Sequence, residues 1–166
     1  SLYYAIPLVV MSPLTFLSHP LRWLELIDRH RGTISGAPNF GYELCLRAMT
    51  PERTQHLDLS SWRVAFNGAE PVSAQTMEQF TECLAPCGLR HNALMPVYGL
   101  AETAVGLCVA RPGRGVIVDR VNRERFSQRG EASPEQDAAA AQCFVNCGPP
   151  LPGYALRIVD DQGREL

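Results

Sequence analysis

Lysine is absent from this sequence: all 15 basic residues are arginine. That excludes a lysine Schiff base, a phosphate-loop lysine and a catalytic lysine from anything these residues do alone. Long apolar runs are also missing, since none approaches the roughly 20 residues that a membrane helix needs. The opening SLYYAIPLVVM is apolar but carries no basic leader and no small-residue cleavage site. It is predicted to be a core strand entered in mid-fold, not a signal peptide. A strong charge of one sign is missing too, and the net charge of −2 argues against a general nucleic-acid binder. No serine sits in a G-x-S-x-G elbow, so an acyl hydrolase has no support. His19, His30, His56 and His91 stand in no metal-like spacing and read as surface or capping residues.

What is present suits a globular protein. The 166 residues, 46% of them hydrophobic, are enough for one domain with a real core. Cys45, Cys83, Cys87, Cys108, Cys143 and Cys147 include two C-x₃-C pairs. One pair lies in a strand-like run and the other spans a helix end, so the six read as free thiols of a reducing cytoplasm.

Periodicity divides the chain into alternating strands and helices. IPLVVM (6–11) is a continuous apolar run that predicts a buried strand. Two prolines in SPLTFLSHP forbid a long helix. Pro20 then opens a helix over 20–31, with Leu21, Leu24 and Ile27 on one face, and Gly32 ends it. A short strand, 33–37, precedes a helix over 38–49 with Phe40 and Leu44 at i,i+4. A strand at 62–66 leads through a glycine turn to a helix over 74–86. Ser73 is its N-cap, Val72 and Met77 have the spacing of a hydrophobic staple, and Gly88 closes it. Further strands are predicted at 93–99, in TAVGLCVA, in GVIVDRV, in CFVNCG, and in a strand and turn within GYALRIVDDQGREL. Residues 120–142, charged and alanine-rich, read as a surface excursion or a mobile loop. The fold class is therefore α/β: a layered, largely parallel sheet flanked by helices, with additional strands toward the C-terminus.

In such sheets ligands collect at the carboxyl ends of strands. Three of these ends carry glycine-bearing turns: SGAPN, NGAEP and VYGLAE. Read residue by residue, each has an ordinary alternative. Tyr98 closes a strand as a core aromatic, Glu102 complements a helix dipole, and NGAEP is a plain strand-to-helix turn.

These segments resemble the adenylate-forming enzymes, the superfamily of acyl-CoA synthetases, peptide-synthetase adenylation domains and luciferases. VYGLAE matches the superfamily's Y-G-x-T-E motif with Ala101 in place of threonine, and NGAEP matches its adenine-binding turn. The wording of MSPLTFLSHPLRWL, SGAPNFGYELC, DLSSWRVAFNGAEPV and PVYGLAE is similar to one branch, the fatty acyl-AMP ligases. The resemblance covers nearly the whole chain and implies a central part, 1–166, of the large N-terminal adenylation domain. The phosphate loop, the ribose-binding aspartate and the lysine of the small domain that it also implies are not among these residues.

The implied reaction joins a fatty acid to ATP, giving acyl-AMP and pyrophosphate. The same resemblance implies that Gly68, Ala69 and Glu70 present backbone to the adenine and that Tyr98 lies against its ring. Gly99, Leu100 and Ala101 would complete the nucleotide contact, with only the Ala101 backbone N–H to meet phosphate. Glu102 would be the catalytic Mg²⁺ ligand. Ser35, Gly36, Ala37, Phe40 and Phe66 would line the acyl pocket, or serve helix–strand packing. The implied acceptor is an acyl carrier protein or a polyketide or peptide synthase. Residues 120–142 lie where the ligase branch carries an insertion. An acyl-CoA ligase of the same superfamily and a non-catalytic nucleotide- or acyl-binding module stand as alternatives.

Overall fold

The computed structural model describes residues 3–166. Its centre is the alternation read from the periodicity. Strand β1 (Ile34–Ala37) is followed by helix α3 (Asn39–Ala48), β2 (Val64–Asn67) by α5 (Ala74–Leu84), and then comes β3 (Leu94–Tyr98). The three strands pair in parallel in the order β1-β2-β3. Strand β4 (Cys108–Val109) closes the sheet antiparallel to β3. Two short helices, α1 (Pro13–Ser18) and α2 (Arg22–Arg29), precede the sheet, and a single-turn helix, α4 (Pro51–Thr54), follows α3.

The sheet buries one face. Ala65, Asn67, Leu94 and Pro96 point into the core, whereas their neighbours Phe66, Met95 and Val97 are exposed or half-buried. Helices α2, α3 and α5 cover the buried face with Leu24, Ile27, Tyr42, Cys45, Met77, Phe80 and Leu84. An edge-to-face aromatic chain ties these layers together: Trp23 lies 5.3 Å from Tyr42 and 5.2 Å from Trp62, and Tyr42 lies 4.9 Å from Phe80. Such pairs contribute about 0.5–1.5 kcal/mol each beyond the area they bury. Their polar tips are all satisfied. Trp23 Nε1 donates to Ser35 Oγ, Trp62 Nε1 to the Val64 carbonyl, and Tyr42 O–H to the Phe66 carbonyl.

Local signals explain the ends of these elements. The Ser73 hydroxyl accepts from Thr76 N–H at 3.2 Å and caps α5, and a 3-10 turn over Ala85–Cys87 then continues it until Gly88, at φ 84°, turns the chain out. At the end of α2 the left-handed position falls on Arg31, at φ 51°, one residue before the predicted Gly32. The Gly32 N–H closes the motif on the Ile27 carbonyl at 2.8 Å, while the Arg31 guanidinium is held by Asp58 and Ser60.

Four predicted elements differ. Residues 6–11 form no strand. They run as extended coil with Ile6, Leu8, Val9 and Val10 exposed. Apolar composition alone does not make a strand: a ladder partner is needed, and β1 pairs only with β2 among the described residues. The buried face of α3 is Tyr42 and Cys45, while Phe40 is exposed. TAVGLCVA contributes only Cys108–Val109 to a strand, because the loop before it is occupied by left-handed Ala104 and Val105. GYALRIVDDQGREL forms a single bridge, Val159 to Glu165, around a turn held by Asp160.

Residues 120–142 are more ordered than their composition predicts. Strands β5 (Val118–Asn122) and β6 (Ala141–Val145) pair antiparallel and take up both ends of the stretch. Between them stands α6 (Arg123–Arg129), N-capped by the Asn122 side chain and ended by Gly130 at φ 70°. Helix α6 buries no residue, but its Phe126 ring meets Phe144 of β6 edge-on at 5.2 Å. The charges did not exclude a ribbon, because a two-stranded pair leaves most side chains in water. No helix among the described residues is long and apolar enough to cross a membrane.

Candidate functional site

Parallel pairing brings the carboxyl ends of β1, β2 and β3 to one edge of the sheet, at Ala37, Asn67 and Tyr98. The three glycine-bearing segments of the sequence leave the sheet there side by side. The turn after β2 touches β3 directly. Gly68 is buried, and a Cβ on it would lie 2.6 Å from Val97 Cγ2 and 2.8 Å from the Val97 carbonyl oxygen. Only glycine lets the two strand ends approach this closely. Ala69 then adopts φ 69°, a left-handed conformation that costs a non-glycine residue about 1–2 kcal/mol. Ala69 and Glu70 are exposed. The Glu70 carboxylate accepts the Phe40 N–H at 2.6 Å, which ties the turn to the start of α3.

The turn after β3 is a closed loop. The Tyr98 carbonyl accepts from Leu107 N–H at 3.0 Å, and the Leu100 carbonyl accepts from Val105 N–H at 3.0 Å. A Cβ on Gly99 would fall 1.5 Å from the Val105 carbonyl oxygen, so the loop folds back across this glycine. Ala104 and Val105 both have positive φ, 53° and 74°. Val105 is β-branched, and such residues rarely enter this region unless their surroundings impose it. Tyr98 is 45% exposed at the strand end, which removes the reading of a closed core aromatic. Glu102 is exposed within a three-residue 3-10 turn, Ala101–Thr103. No α-helix starts there, so the helix-dipole account of this carboxylate loses its helix.

The candidate acyl residues divide between the two faces of the sheet. Gly36 and Phe66 are register partners on the open face. A Cβ on Gly36 would lie 2.3 Å from the Phe66 carbonyl oxygen and 2.4 Å from its ring Cδ2, so the Phe66 ring lies over Gly36. Phe66 remains 39% exposed and Phe40 47%. Ser35 and Ala37 turn to the helical side, where the Ser35 hydroxyl accepts from Trp23 and Ala37 packs against the core beside Gly41. Their small size serves packing there.

Beneath the first turn lies a polar cluster that periodicity did not disclose. Asn67 is fully buried and Asn39 nearly so. Asn39 Oδ1 accepts from Ser73 N–H at 3.0 Å and from Asn67 Nδ2 at 3.2 Å. Asn39 Nδ2 donates to Glu43 Oε1 at 2.8 Å. Both asparagines stand next to the glycine turns in SGAPN and NGAEP, which is the one signal that could have found them. Burial acts on two groups nearby, pushing the Tyr42 phenol well up and the Cys45 thiol up to about 12, so both stay neutral in the core.

A single carboxylate with open surroundings fits a Mg²⁺ ion whose other ligands are phosphate oxygens and water. Among the described residues no three of His, Cys, Asp and Glu are grouped to hold a metal by themselves.

Comparison with known proteins agrees with this geometry. Residues 1–166 match the family described as AMP-binding enzyme. The medium-chain-fatty-acid–[acyl-carrier-protein] ligase JamA of Moorena producens is 43% identical over 161 residues, 96% of this chain and 27% of that protein. The 4-hydroxyphenylalkanoate adenylyltransferase of Mycobacterium tuberculosis is 38% identical over 156 residues, 94% of this chain and 25% of its own length. The crystal structure of a fatty acyl-adenylate ligase from L. pneumophila, in complex with acyl adenylate and pyrophosphate, superposes with a TM-score of 0.84. It is 39% identical, over 90% of this chain and 26% of that one. The chain thus spans about a quarter of the length of the relatives it matches. With its parallel sheet, its paired glycine turns and a match along its full length, the chain belongs to the AMP-binding enzyme family.

Proposed function

We propose that the protein containing this chain activates a fatty acid as its acyl-adenylate, with release of pyrophosphate from ATP. The observation that carries the reading is the meeting of the Gly68 turn and the Tyr98–Val105 loop at adjacent parallel strand ends, with left-handed non-glycine residues in both. Backbone held in unfavourable regions by its surroundings is a mark of ligand-binding turns. The names of the relatives supply the substrate class. A fatty acid is the substrate, and the acyl carrier protein in the name of the Moorena relative makes a carrier protein the proposed acceptor.

In this reading the Tyr98 ring lies against the adenine and the backbone of Gly68, Ala69 and Glu70 lines its edge. Gly99, Leu100 and Ala101 pass beside the phosphates, where the Ala101 N–H donates. Glu102 holds Mg²⁺, which when bound neutralises charge on the phosphate oxygens. Phe66 and Phe40 form the apolar wall for the acyl chain, with Gly36 letting the Phe66 ring lie flat and Ser35 and Ala37 supporting from the core side. Residues 120–142 act as a restraint on a second half-reaction. A cytoplasmic location suits the six cysteines, all free thiols.

The test is pyrophosphate release by the whole protein with ATP, Mg²⁺ and a panel of fatty acids. Fatty-acid-dependent release that falls at least about a hundredfold in Glu102→Gln supports the reading. ATP-dependent binding without any release supports the non-catalytic module instead. Acyl-CoA as the main product with CoA present supports the CoA ligase.

A further inference from the structure

Four residues of α3 hold the chain from the end of β2 to the first turn of α5. Tyr42 O–H donates to the Phe66 carbonyl at 2.7 Å. Asn39 Oδ1 accepts from both Asn67 Nδ2 and Ser73 N–H. The Phe40 N–H donates to Glu70. Glu43 Oε1 accepts from Asn39 Nδ2 and, at 3.4 Å, from Thr76 Oγ1. These contacts fall at 67, 70 and 73, so residues 67–73 are gripped at each end and in the middle by one helix.

The orientation of the cluster follows from a donor that has no alternative. The Ser73 backbone N–H can only donate, so the Asn39 atom facing it is the oxygen, and the Asn67 atom facing that oxygen is the nitrogen. Asn67 Nδ2 also points to Met77 Sδ at 2.9 Å, while Asn67 Oδ1 is buried without a partner among the described residues. A buried acceptor left unpaired costs about 1–3 kcal/mol. The side chain is therefore kept in a conformation that is poor for Asn67 itself, and Asn39 is what holds it there. A hydrophobic pair at 39 and 67 would pack more simply, but it would leave Ser73 N–H without an acceptor and the turn free to shift.

We infer that Asn39 is a positioning residue for the nucleotide turn. Through Asn67 and Ser73 it sets the path of Gly68–Glu70, and it touches neither nucleotide nor acyl chain. The inference rests on the reading of that turn as the adenine site.

The experiment uses the whole protein and four forms: wild type, Asn39→Ala, Asn39→Asp, and Asn39→Asp with Glu43→Gln. Asn39→Ala removes the acceptor shared by Ser73 and Asn67. Asn39→Asp keeps the acceptor but sets a second carboxylate against Glu43. The double variant restores a donor to that contact with the polarity reversed, since the new amide at 43 donates to the new carboxylate at 39. We expect the KM for ATP to rise about tenfold in Asn39→Ala and in Asn39→Asp, with kcat and the KM for fatty acid within about threefold. In the double variant the KM for ATP returns to within about threefold of wild type. If Asn39→Ala fails to fold, the Asp variant and the double variant make the same comparison. An unchanged KM for ATP overturns the inference. So does a parallel loss of all constants with no recovery in the double variant, which is the mark of a merely structural residue. A wild type that releases no pyrophosphate overturns the adenine reading as well, whereas an active wild type with an indifferent Asn39 overturns this inference alone.

Discussion

Gly36 lacks a side chain because Phe66 occupies the space where one would be. Adding a methyl group there puts a Cβ 2.3 Å from the Phe66 carbonyl oxygen, a backbone atom that does not step aside. Gly36→Ala should therefore separate β1 from β2 locally and lower stability by about 1–3 kcal/mol, read as a shift in the chemical denaturation midpoint. Stability within error of wild type would show that the strand pair yields easily. A second residue-scale effect concerns acid. Hydrogen bonds from the Ser60 side chain and backbone, then the Arg31 guanidinium at 2.5 Å, hold the Asp58 carboxyl down at about 2, below its ordinary 3.8. A carboxyl whose pKa is lower in the folded state stabilises it above the unfolded value and loses that contribution as pH falls through the folded one. Melting temperature should accordingly fall between pH 3.8 and about pH 2 more steeply in wild type than in Asp58→Asn. Equal acid limbs would show that the pair contributes nothing. At this scale the glycine turns at the strand ends were legible as turns, whereas the exposure of Tyr98 and the close approach of Gly68 to Val97 were not, since a core aromatic and an ordinary turn fitted the same residues. Asn39 was not, because an asparagine beside a turn is commonplace until its partners, 28 and 34 residues away, are known.

Among the elements, α5 was the most legible. Its cap, its Met77–Phe80–Leu84 face and its Gly88 terminus are all local signals, and local signals survive into the fold. Residues 6–11 were misread because strand formation is not local: the same apolar run is a strand with a partner and coil without one. It now borders a groove of about 420 Å³ with Trp23, Ile27 and Ile34. The 120–142 stretch stays at the surface, but the register that pairs β5 with β6 could not be seen from its charges. Within it, 123–140 buries none of its own residues, and only its 133–135 segment returns to bond β5, through Asn122 N–H to the Ser133 carbonyl and Glu135 N–H to the Arg120 carbonyl. Replacing 123–140 by a short glycine linker in the whole protein should keep adenylate formation within about threefold and allow some acyl-CoA to form. Adenylate formation without any acyl-CoA, measured with CoA present, would refute the restraint proposed for it.

On the scale of the molecule, one helical layer covers one face of a parallel sheet whose strand ends gather the candidate site. The other face leaves Ile34, Phe66 and Met95 exposed or half-buried. The 166 residues correspond to about a quarter of the relatives' length and hold no lysine. Expressed alone, they should release no fatty-acid-dependent pyrophosphate from ATP and Mg²⁺, since no lysine ammonium is available to meet the charge that develops on the phosphates. Turnover by the purified segment would refute this.

The sequence by itself determined the alternation of strands and helices, the caps and turns, the absence of lysine chemistry and the three glycine-bearing segments at the strand ends. All of these depend on residue type and spacing over a few positions. Only the tertiary structure decided which apolar runs became strands, which face of the sheet each small residue serves, and which polar groups clasp the turn after β2. Those depend on pairing and burial between segments far apart in the chain, where a hydrogen bond or a close approach is set by geometry that no local pattern encodes.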